Sequence, residues 1–267
     1  MKKTILVTGS TDGIGKQIAF ELAAMGHTVI MHGKRESFGK KLAEMFRQET
    51  GNNNIVYYNA DLSDFDDIRR FAASVKRDFP VLDVLLSNAG VFMNERIMLP
   101  NGLEMTFMVN HLAVFALTLD LLEMVKKSPA GRVVITSSMA HSSSIDFSNL
   151  NGEKYWDSYN AYSVSKLENI LFAYRLHRLL RAENSKVTVN ALHPGVISTK
   201  LLHAGWGIGG ATVQHGASTS VYLATSDEVE NVSGKYFVNK RTQKSAAFSY
   251  DIKAQDKLWQ ISEGLMA

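Results

Sequence analysis

Tyr162 and Lys166 stand four positions apart in a stretch with a helical pattern. Side chains at positions i and i+4 lie on the same face of an α-helix, so the phenol and the ammonium can reach one site. A free phenol has a pKa near ~10, and a fixed cation beside it favours the phenolate and lowers that pKa. The pair therefore predicts a proton donor and acceptor that works near neutral pH. Solvent-exposed pairs without a function share this spacing, so the rest of the chain must show whether this pair belongs to a functional site.

The amino-terminal part of the chain predicts a loop that binds phosphate. A β-prone run at 4–8 leads into a glycine-containing turn and then into a helix-like stretch near 14–25. Glycines let the backbone approach a pyrophosphate closely, and a helix start offers free N–H groups and the positive end of its dipole. The turn residues assigned to cofactor binding are Gly9, Ser10, Thr11, Gly13, Ile14 and Gly15.

Alternating strand and helix patterns predict the scaffold. Strands are expected near 4–8, 28–32, 55–60, 81–87, 132–137, 187–193 and 235–238. Helices are expected near 14–25, 36–49, 64–78, 103–126, 160–182 and 212–226. The strands are rich in Val, Ile and Leu, which is typical of strands buried on both faces. We therefore predict an α/β fold, a single Rossmann-like domain over residues 1–267 with a doubly wound parallel sheet of about seven strands and helices on both faces.

Two stretches interrupt this alternation. Residues 139–160 are long, polar and aromatic, and residues 200–212 are rich in glycine. Both follow the carboxyl end of a strand, where ligands bind in open α/β sheets. Long loops in compact domains often act as lids, so 200–212 is predicted to be a substrate lid loop, with a flexible insertion as the alternative.

The composition excludes several classes of function. The net charge of +3 over 267 residues is too small to favour nucleic acid as a partner. Cysteine is absent, which excludes disulfides and thiol catalysis, and neither a zinc-type cluster nor a P-loop is present. We expect no apolar run long enough to span a bilayer, no leader and no membrane anchor, and hence a cytoplasmic protein. Whether it forms a homo-oligomer is left open.

Seven short motifs follow one another along the chain. They are Thr8-Gly9-x-x-x-Gly13-Ile14-Gly15, Asp61-Leu62, Ser87-Asn88-Ala89-Gly90, Asn110, Thr136-Ser137-Ser138, Tyr162-x-x-x-Lys166 and Pro194-Gly195-x-x-x-Thr199. In this order they resemble the short-chain dehydrogenase/reductase family, in its shorter single-domain type, over nearly the whole chain. Ala191-Leu192-His193-Pro194-Gly195 and Asn149-Leu150-Asn151 look most like its retinol-dehydrogenase-like members.

Three features depart from the family pattern. Ser87 replaces the first asparagine of the N-N-A-G segment, and the hydrophobic amino-terminal anchor of some animal retinol dehydrogenases is missing. The spacing from Ser138 to Tyr162 is longer than usual by about ten residues, a comparison that rests on resemblance alone. Members of the subgroup carry a similar insertion, so Ser138 is kept as the matching serine, with Ser137 as the alternative.

The resemblance implies hydride transfer between a nicotinamide cofactor and a carbonyl or alcohol. Tyr162 would exchange the proton, and Ser138 would donate a hydrogen bond to the substrate oxygen. Lys166 would favour the phenolate and bind the nicotinamide ribose, while Asn110 would hold a water that links Lys166 to solvent. Further cofactor contacts are implied for Asp61, Leu62, Asn88, Ala89, Gly90, Pro194, Gly195, Ile197 and Thr199.

The end of the second predicted strand bears on the choice of cofactor. NAD enzymes of this fold place an acidic residue there, whereas by family spacing this chain has Gly33, followed by Lys34 and Arg35. No carboxylate would repel a 2′-phosphate, and two cations stand beside the site. We therefore predict NADP(H) as the cofactor, with the alternative that both cations merely begin a solvated helix.

The sequence predicts an NADP(H)-dependent oxidoreductase that acts on a small-molecule carbonyl or alcohol. Apolar residues expected near the pocket favour a hydrophobic substrate, and they are Phe92, Met93, Trp156, Trp206 and Ile208. The alternative function is a non-catalytic NADP(H)-binding or redox-sensing protein on the same fold. Retention of Ser138, Tyr162 and Lys166 together favours the enzyme.

Overall fold

The sheet is built from short apolar runs that alternate with helices. In the computed structural model, which describes residues 1–207 and 209–266, eight strands form one sheet. The strands are β1 (Thr4–Val7), β2 (Thr28–Gly33), β3 (Ile55–Asn59), β4 (Val84–Ser87), β5 (Arg132–Thr136), β6 (Thr188–His193), β7 (Lys235–Val238) and β8 (Arg241–Gln243). The helices are α1 (Gly13–Ala24), α2 (Glu36–Thr50), α3 (Phe65–Asp78), α4 (Met105–Lys126), α5 (Ser158–Ala182), α6 (Lys200–Trp206), α7 (Val213–Thr225) and α8 (Ile252–Met266).

The strand order places a crevice at the middle of the sheet. The order is β3-β2-β1-β4-β5-β6-β7-β8, and strands β1 to β7 are parallel. The chain runs outward from β1 to β3 and then returns past β1 to β4, so the connections after β1 and β4 leave in opposite directions. Ligands of open α/β sheets bind at such a point, beside the carboxyl ends of the strands. The predicted Rossmann-like α/β fold is confirmed.

Apolar strand residues fill two helix-covered layers because side chains alternate between the faces of a strand. On β1, Leu6 packs into the layer that contains α3, α4 and α5, while Ile5 and Val7 pack into the layer that contains α1, α2 and α7. Burial of each such side chain stabilises the fold by about 1.5–3 kcal/mol. The sheet is thereby held rigid beneath the crevice.

Three elements differ from the sequence-based expectation. Strand β8 is antiparallel to β7 and was not predicted, because its residues Arg241–Gln243 are exposed and carry no apolar pattern. The segment 200–212, expected as a loop, begins with α6, whose start is capped by the Thr199 side chain. Helix α8 was also missed, and it packs against α5 through buried residues that include Trp259.

Helix α4 corrects a further expectation. By length and composition Met105–Lys126 is apolar enough to cross a membrane, whereas no run of that kind was expected. The helix is nevertheless a core element, because 83% of its most apolar 18-residue stretch is buried inside the protein. Its residues Met108–Leu112 form a π-helical segment. The extra residue per turn in such a segment changes the direction of the side chains that follow.

Helix α5 carries a buried carboxyl group two residues beyond Lys166. Glu168 is 1% exposed, and neither of its carboxyl oxygens has a hydrogen-bond partner among the described residues. Burial raises the pKa of Glu168 well above its usual value, and the charge of Glu104 raises it further. Glu168 therefore keeps its proton to a higher pH in the folded protein than in the unfolded chain.

Replacing Glu168 with glutamine should stabilise the protein, and by more at high pH than at low pH. Above its usual pKa of 4.5 the unfolded carboxyl loses its proton while the folded one keeps it. Wild-type stability therefore falls as pH rises through this window, whereas glutamine has no proton to lose. We expect a gain of about 1–2 kcal/mol near pH 7, measured by urea unfolding.

The same measurement at lower and higher pH separates this effect from packing. The gain should shrink near about pH 5 and grow near about pH 8. Glu123→Gln, on an exposed position of α4, is the control and should change stability little. A gain that is equal at both pH values, or a loss at both, would show that Glu168 is not held protonated by its surroundings.

Candidate active site

The turn after β1 is shaped to leave room for a ligand. Gly9 and Gly13 have φ angles of +63° and +52°, a region that favours glycine. A Cβ atom on Gly15 would lie 2.2 Å from the carbonyl oxygen of Gly9. The Asp12 side chain caps α1 by accepting a hydrogen bond from the Gly13 N–H. The start of α1 therefore packs directly against the turn after β1, and both border the crevice.

The turns after β1 and β4 are joined into one unit. The Thr8 hydroxyl oxygen accepts hydrogen bonds from the N–H groups of Asn88 and Ala89, both at 3.0 Å. The Asn88 side-chain amide donates to the Thr8 carbonyl oxygen at 3.1 Å. The predicted cofactor residues on these two turns thus hold each other in place.

His32 lies beneath the glycine turn, and sequence reasoning missed it. Its Nδ1 accepts a hydrogen bond from the Gly9 N–H at 3.2 Å, and its Nε2 donates to the Ala60 carbonyl oxygen at 3.2 Å. Burial lowers the pKa of His32 to about 4, so the ring is neutral at physiological pH. Ser10, predicted to touch the cofactor, is instead bonded to the His32 backbone below the crevice. In the sequence, the only sign of this role of His32 is that a histidine stands inside an otherwise apolar strand.

The crevice forms a cavity of about 510 Å³. The predicted cofactor residues among those that line it are Gly9, Thr11, Gly13, Ile14, Gly15, Gly33, Lys34, Asp61, Leu62, Asn88, Ala89, Gly90 and Thr199. Ser10 and Arg35 are not among its lining residues. The backbone N–H groups and the open end of α1 fit the phosphates of a dinucleotide.

The two cations after β2 have different surroundings. The Lys34 ammonium lies 2.6 Å from the Asp61 carboxylate, and both side chains line the crevice. The Arg35 guanidinium instead lies 4.5 Å from the centre of the Phe38 ring. A Cβ on Gly33 would meet the Thr11 side chain at 2.6 Å, so no acidic residue could replace Gly33 without a shift of Thr11.

A second cavity of about 400 Å³ adjoins the crevice and shares Ile14, Asn88, Gly90, Thr199 and Leu201 with it. The predicted residues that line it are Ser138, Tyr162, Lys166, Pro194, Gly195 and Ile197, besides the shared Ile14, Asn88, Gly90 and Thr199. Tyr162 and Lys166 point into it from α5, as the i,i+4 spacing predicted, and the Lys166 Nζ lies 5.3 Å from the centre of the Tyr162 ring. Proton exchange and cofactor binding can therefore occur in one place.

The structure distinguishes Ser138 from Ser137. The Ser137 hydroxyl donates to the Lys166 carbonyl oxygen at 2.6 Å, so its proton is committed to the backbone of α5. The Ser138 hydroxyl oxygen accepts from the Ala140 N–H at 3.0 Å, so its own proton is not committed to the backbone and can be donated within the cavity. Ser138 is thus the serine that can donate to a reacting oxygen.

Burial dominates the titration of Tyr162 and Lys166. Burial raises the pKa of Tyr162 to about 12, and a hydrogen bond with Ser138 opposes that rise only in part. Burial lowers the pKa of Lys166 to about 8. Burial accounts for most of both shifts, and Lys166 is not among the groups that shift the pKa of Tyr162 in this structure, so its effect on the phenolate stays a prediction. Tyr162 holds its proton as a donor until a reacting oxygen takes it.

Asn110 lies apart from both cavities, in the π-helical segment of α4. It is fully buried, and its side-chain amide donates to the Val91 carbonyl oxygen and to the Ser165 hydroxyl oxygen, both at 3.0 Å. Its carbonyl oxygen accepts from the Val91 N–H at 2.7 Å. Asn110 therefore positions the loop after β4 against α5, while its role in holding a water stays a prediction.

Aromatic side chains form one wall beside Tyr162. Trp206 lies with its ring centre 5.6 Å from that of Tyr162 and 5.3 Å from that of Phe92. Met93, expected at the substrate pocket, lines the crevice instead. Trp156, expected at the same pocket, lies instead in a small separate cavity with Glu104. Ile208, the remaining expected residue, lies outside the described residues.

The described part of the chain contains no cluster of possible metal ligands. Within residues 1–207 and 209–266, no three histidine, aspartate or glutamate side chains are grouped so that they could hold a metal ion.

Comparison with known proteins agrees with this geometry. The family described as short chain dehydrogenase matches residues 3–207. Human retinol dehydrogenase 14 is 36% identical over 289 residues, which cover 98% of this chain and 85% of that protein. Human polyprenol dehydrogenase is 36% identical over 276 residues, covering 97% of this chain and 84% of that protein.

A solved structure extends the comparison to cofactor binding. A short-chain dehydrogenase from Escherichia coli CFT073, crystallised in complex with NADPH, superposes with a TM-score of 0.74 at 27% identity. The match covers 90% of this chain and 97% of that chain. The fold is thus shared with a protein whose structure was solved with NADPH bound.

Proposed function

The chain belongs to the short-chain dehydrogenase family and is an oxidoreductase, and from this premise we propose that it transfers hydride between NADP(H) and a hydrophobic carbonyl or alcohol. The single observation that carries the proposal is the placement of Ser138, Tyr162 and Lys166 around one cavity that adjoins the glycine turn. A proton donor, a hydrogen-bond donor and a cation then surround one reacting oxygen.

Each side chain has a distinct task in this mechanism. A nicotinamide cofactor, when bound, supplies or accepts the hydride. The Tyr162 hydroxyl gives its proton to the substrate oxygen during reduction and takes it back during oxidation. The Ser138 hydroxyl donates a hydrogen bond to the same oxygen, where negative charge grows. The Lys166 ammonium, charged below its pKa of about 8, stabilises the phenolate as the proton leaves.

The preference for NADP(H) rests on Lys34. Its ammonium borders the crevice next to Gly33, where an acidic residue would otherwise repel a 2′-phosphate. Asp61 holds the ammonium there at 2.6 Å. The NADPH complex of the related Escherichia coli dehydrogenase supports the same choice.

Lys34→Ala should weaken the binding of NADPH relative to NADH by about 10–30-fold, because one attractive charge is lost and the Asp61 carboxylate is left unpaired beside the phosphate. Arg35→Ala is the matched control and should change the ratio by less than about threefold, since its guanidinium packs on Phe38. Fluorescence titration with both cofactors at one salt concentration measures the ratio. Equal affinities of the wild-type protein for NADPH and NADH would exclude the preference.

A hydrophobic substrate is supported by the aromatic wall. Phe92 and Trp206 face Tyr162, so a substrate oxygen placed at Tyr162 carries the rest of its molecule along these rings. The related proteins named retinol and polyprenol dehydrogenase favour the same class of substrate. A cytoplasmic location and the absence of a membrane anchor stay predictions from the sequence.

The alternative function, a non-catalytic NADP(H)-binding or redox-sensing protein, is tested in the same assay. The purified protein is mixed with NADPH and a panel of apolar and polar aldehydes and ketones, and oxidation of NADPH is followed by absorbance. Turnover that is faster with apolar members supports the proposed enzyme. Tight NADPH binding without turnover on any member would favour the alternative.

A further inference from the structure

The catalytic serine lies on a turn whose backbone is held by two histidines. Residues Ser138–His141 form the turn after β5, closed by a hydrogen bond from the His141 N–H to the Ser138 carbonyl oxygen. The Met139 N–H donates to Nδ1 of His193 at 3.1 Å, and Nδ1 of His141 lies 2.5 Å from the Ser138 carbonyl oxygen. The two rings therefore hold the N–H and the carbonyl oxygen of one peptide group, the one that joins Ser138 to Met139.

The two histidines connect the turn to distant parts of the chain. His193 ends β6 and lines the substrate cavity. The other ring nitrogen of His141, Nε2, accepts from the Ala246 N–H at 3.0 Å, just before the short 3-10 helix Ala247–Tyr250. The His141 ring also packs edge-to-face on Tyr236. The turn is thus held between β6 and the segment that leads to α8.

The partners fix the tautomer of each ring. A backbone N–H can only donate, so Nδ1 of His193 and Nε2 of His141 must be unprotonated. The remaining proton is on Nε2 of His193 and on Nδ1 of His141, where it can be donated to the Ser138 carbonyl oxygen. A second proton on either ring would set one N–H against another and break the contact.

We propose that His193 and His141, each in a single neutral tautomer, are positioning residues that hold the Ser138 turn for reaction. The proposal rests on the proposed role of Ser138. Burial lowers the pKa of His193 to about 4, which agrees with a neutral His193. Because a misplacement of about 1 Å can slow a reaction about 10²-fold, loss of one contact should be visible in kcat.

Three variants at one position separate positioning from packing. His193→Leu removes the acceptor for Met139, and we expect kcat to fall about 10–100-fold while NADPH affinity changes less than threefold. His193→Asn places an oxygen near the former Nδ1 and should restore kcat to within about threefold of the wild-type value. His193→Gln places no oxygen near the former Nδ1 position, so it replaces His193→Leu as the test variant if the leucine variant fails to fold. His177→Leu, which removes a histidine bonded to Ser233 away from the cavity, should leave kcat unchanged.

A second background tests whether the effect passes through the serine. In Ser138→Ala protein, His193→Leu should lower kcat by less than about threefold, because the hydroxyl that it positions is gone. Equal slowing in both backgrounds, or no rescue by His193→Asn, would overturn the proposal. Non-additivity together with rescue would support it.

A measurement without turnover keeps this inference distinct from the proposed function. Nitrogen-15 NMR of the histidine side chains in the wild-type protein should show the Nε2–H tautomer for His193 and the Nδ1–H tautomer for His141 near about pH 7. A protonated ring or the opposite tautomer would overturn the proposal. If no carbonyl compound supports NADPH oxidation, the proposed function fails. These spectra would still show whether His193 and His141 adopt the tautomers that hold the Ser138 turn.

Discussion

Tyr162→Phe should lower kcat about 10³-fold or more while leaving NADPH affinity within about threefold of the wild-type value. Among residues 1–207 and 209–266, the variant loses the one phenol that lines the substrate cavity with Ser138, and phenylalanine keeps the ring contacts with Phe92 and Trp206. Because the folded protein holds the Tyr162 proton up to a pKa of about 12, this hydroxyl is a donor throughout the working range. Steady-state reduction of an accepted carbonyl and titration with NADPH measure the two quantities.

A neighbouring tyrosine provides the control for this variant. Tyr159 is exposed and also contacts Trp206, but it lines neither cavity. Tyr159→Phe should therefore keep kcat within about twofold of the wild-type value. If Tyr162→Phe retained most of its kcat, Tyr162 would not be the proton donor, and the proposed mechanism would be wrong even if the family is right.

Gly15→Ala should both destabilise the protein and abolish tight binding of NADPH. The added Cβ would lie 2.2 Å from the Gly9 carbonyl oxygen and 2.4 Å from the Asn88 side-chain nitrogen. Gly9 is held by His32 and Asn88 by Thr8, so neither atom can move without breaking a hydrogen bond of the turn. We expect a loss of about 3 kcal/mol in the free energy of unfolding and a loss of NADPH affinity of at least about 100-fold.

Urea unfolding and fluorescence titration measure these two losses. Gly264→Ala is the matched control, because it lies in α8 and a Cβ there would meet no atom of residues 1–207 and 209–266 within 4 Å. That variant should be as stable as the wild-type protein or more stable by up to about 1 kcal/mol, since alanine favours helix. A Gly15→Ala protein that binds NADPH normally would show that the turn can relax. Glycine would then not be sterically required at position 15.

The sequence was sufficient to predict those features that depend on a single physical cause. Apolar runs marked the seven parallel strands because burial on both faces removes polar alternation. The i,i+4 spacing placed Tyr162 and Lys166 in one cavity because helix geometry is local. Positions at which glycine is sterically required, such as Gly15, were equally visible.

The sequence was insufficient to predict features of the site that depend on contacts between residues far apart along the chain. The pKa of Tyr162 follows from burial by the whole fold, which a local pair of residues does not reveal. Trp156 lies near Tyr162 along the chain, yet the long 139–160 stretch carries it to a separate cavity. Arg35 and Lys34 are adjacent in sequence, but only Lys34 lines the crevice. The hydrogen bonds of His32 and Asn110 likewise join elements that the sequence separates.

The exposed strand β8 has a consequence for the behaviour of the protein at high concentration. It is three residues long, its side chains Arg241–Gln243 are all exposed, and Lys240 and Lys244 flank it. A short edge with positive charge resists the addition of a strand from another molecule. Growth of the sheet from this side into fibrils or ribbons is therefore disfavoured, and any self-association has to use helical faces or loops, or the opposite edge at β3.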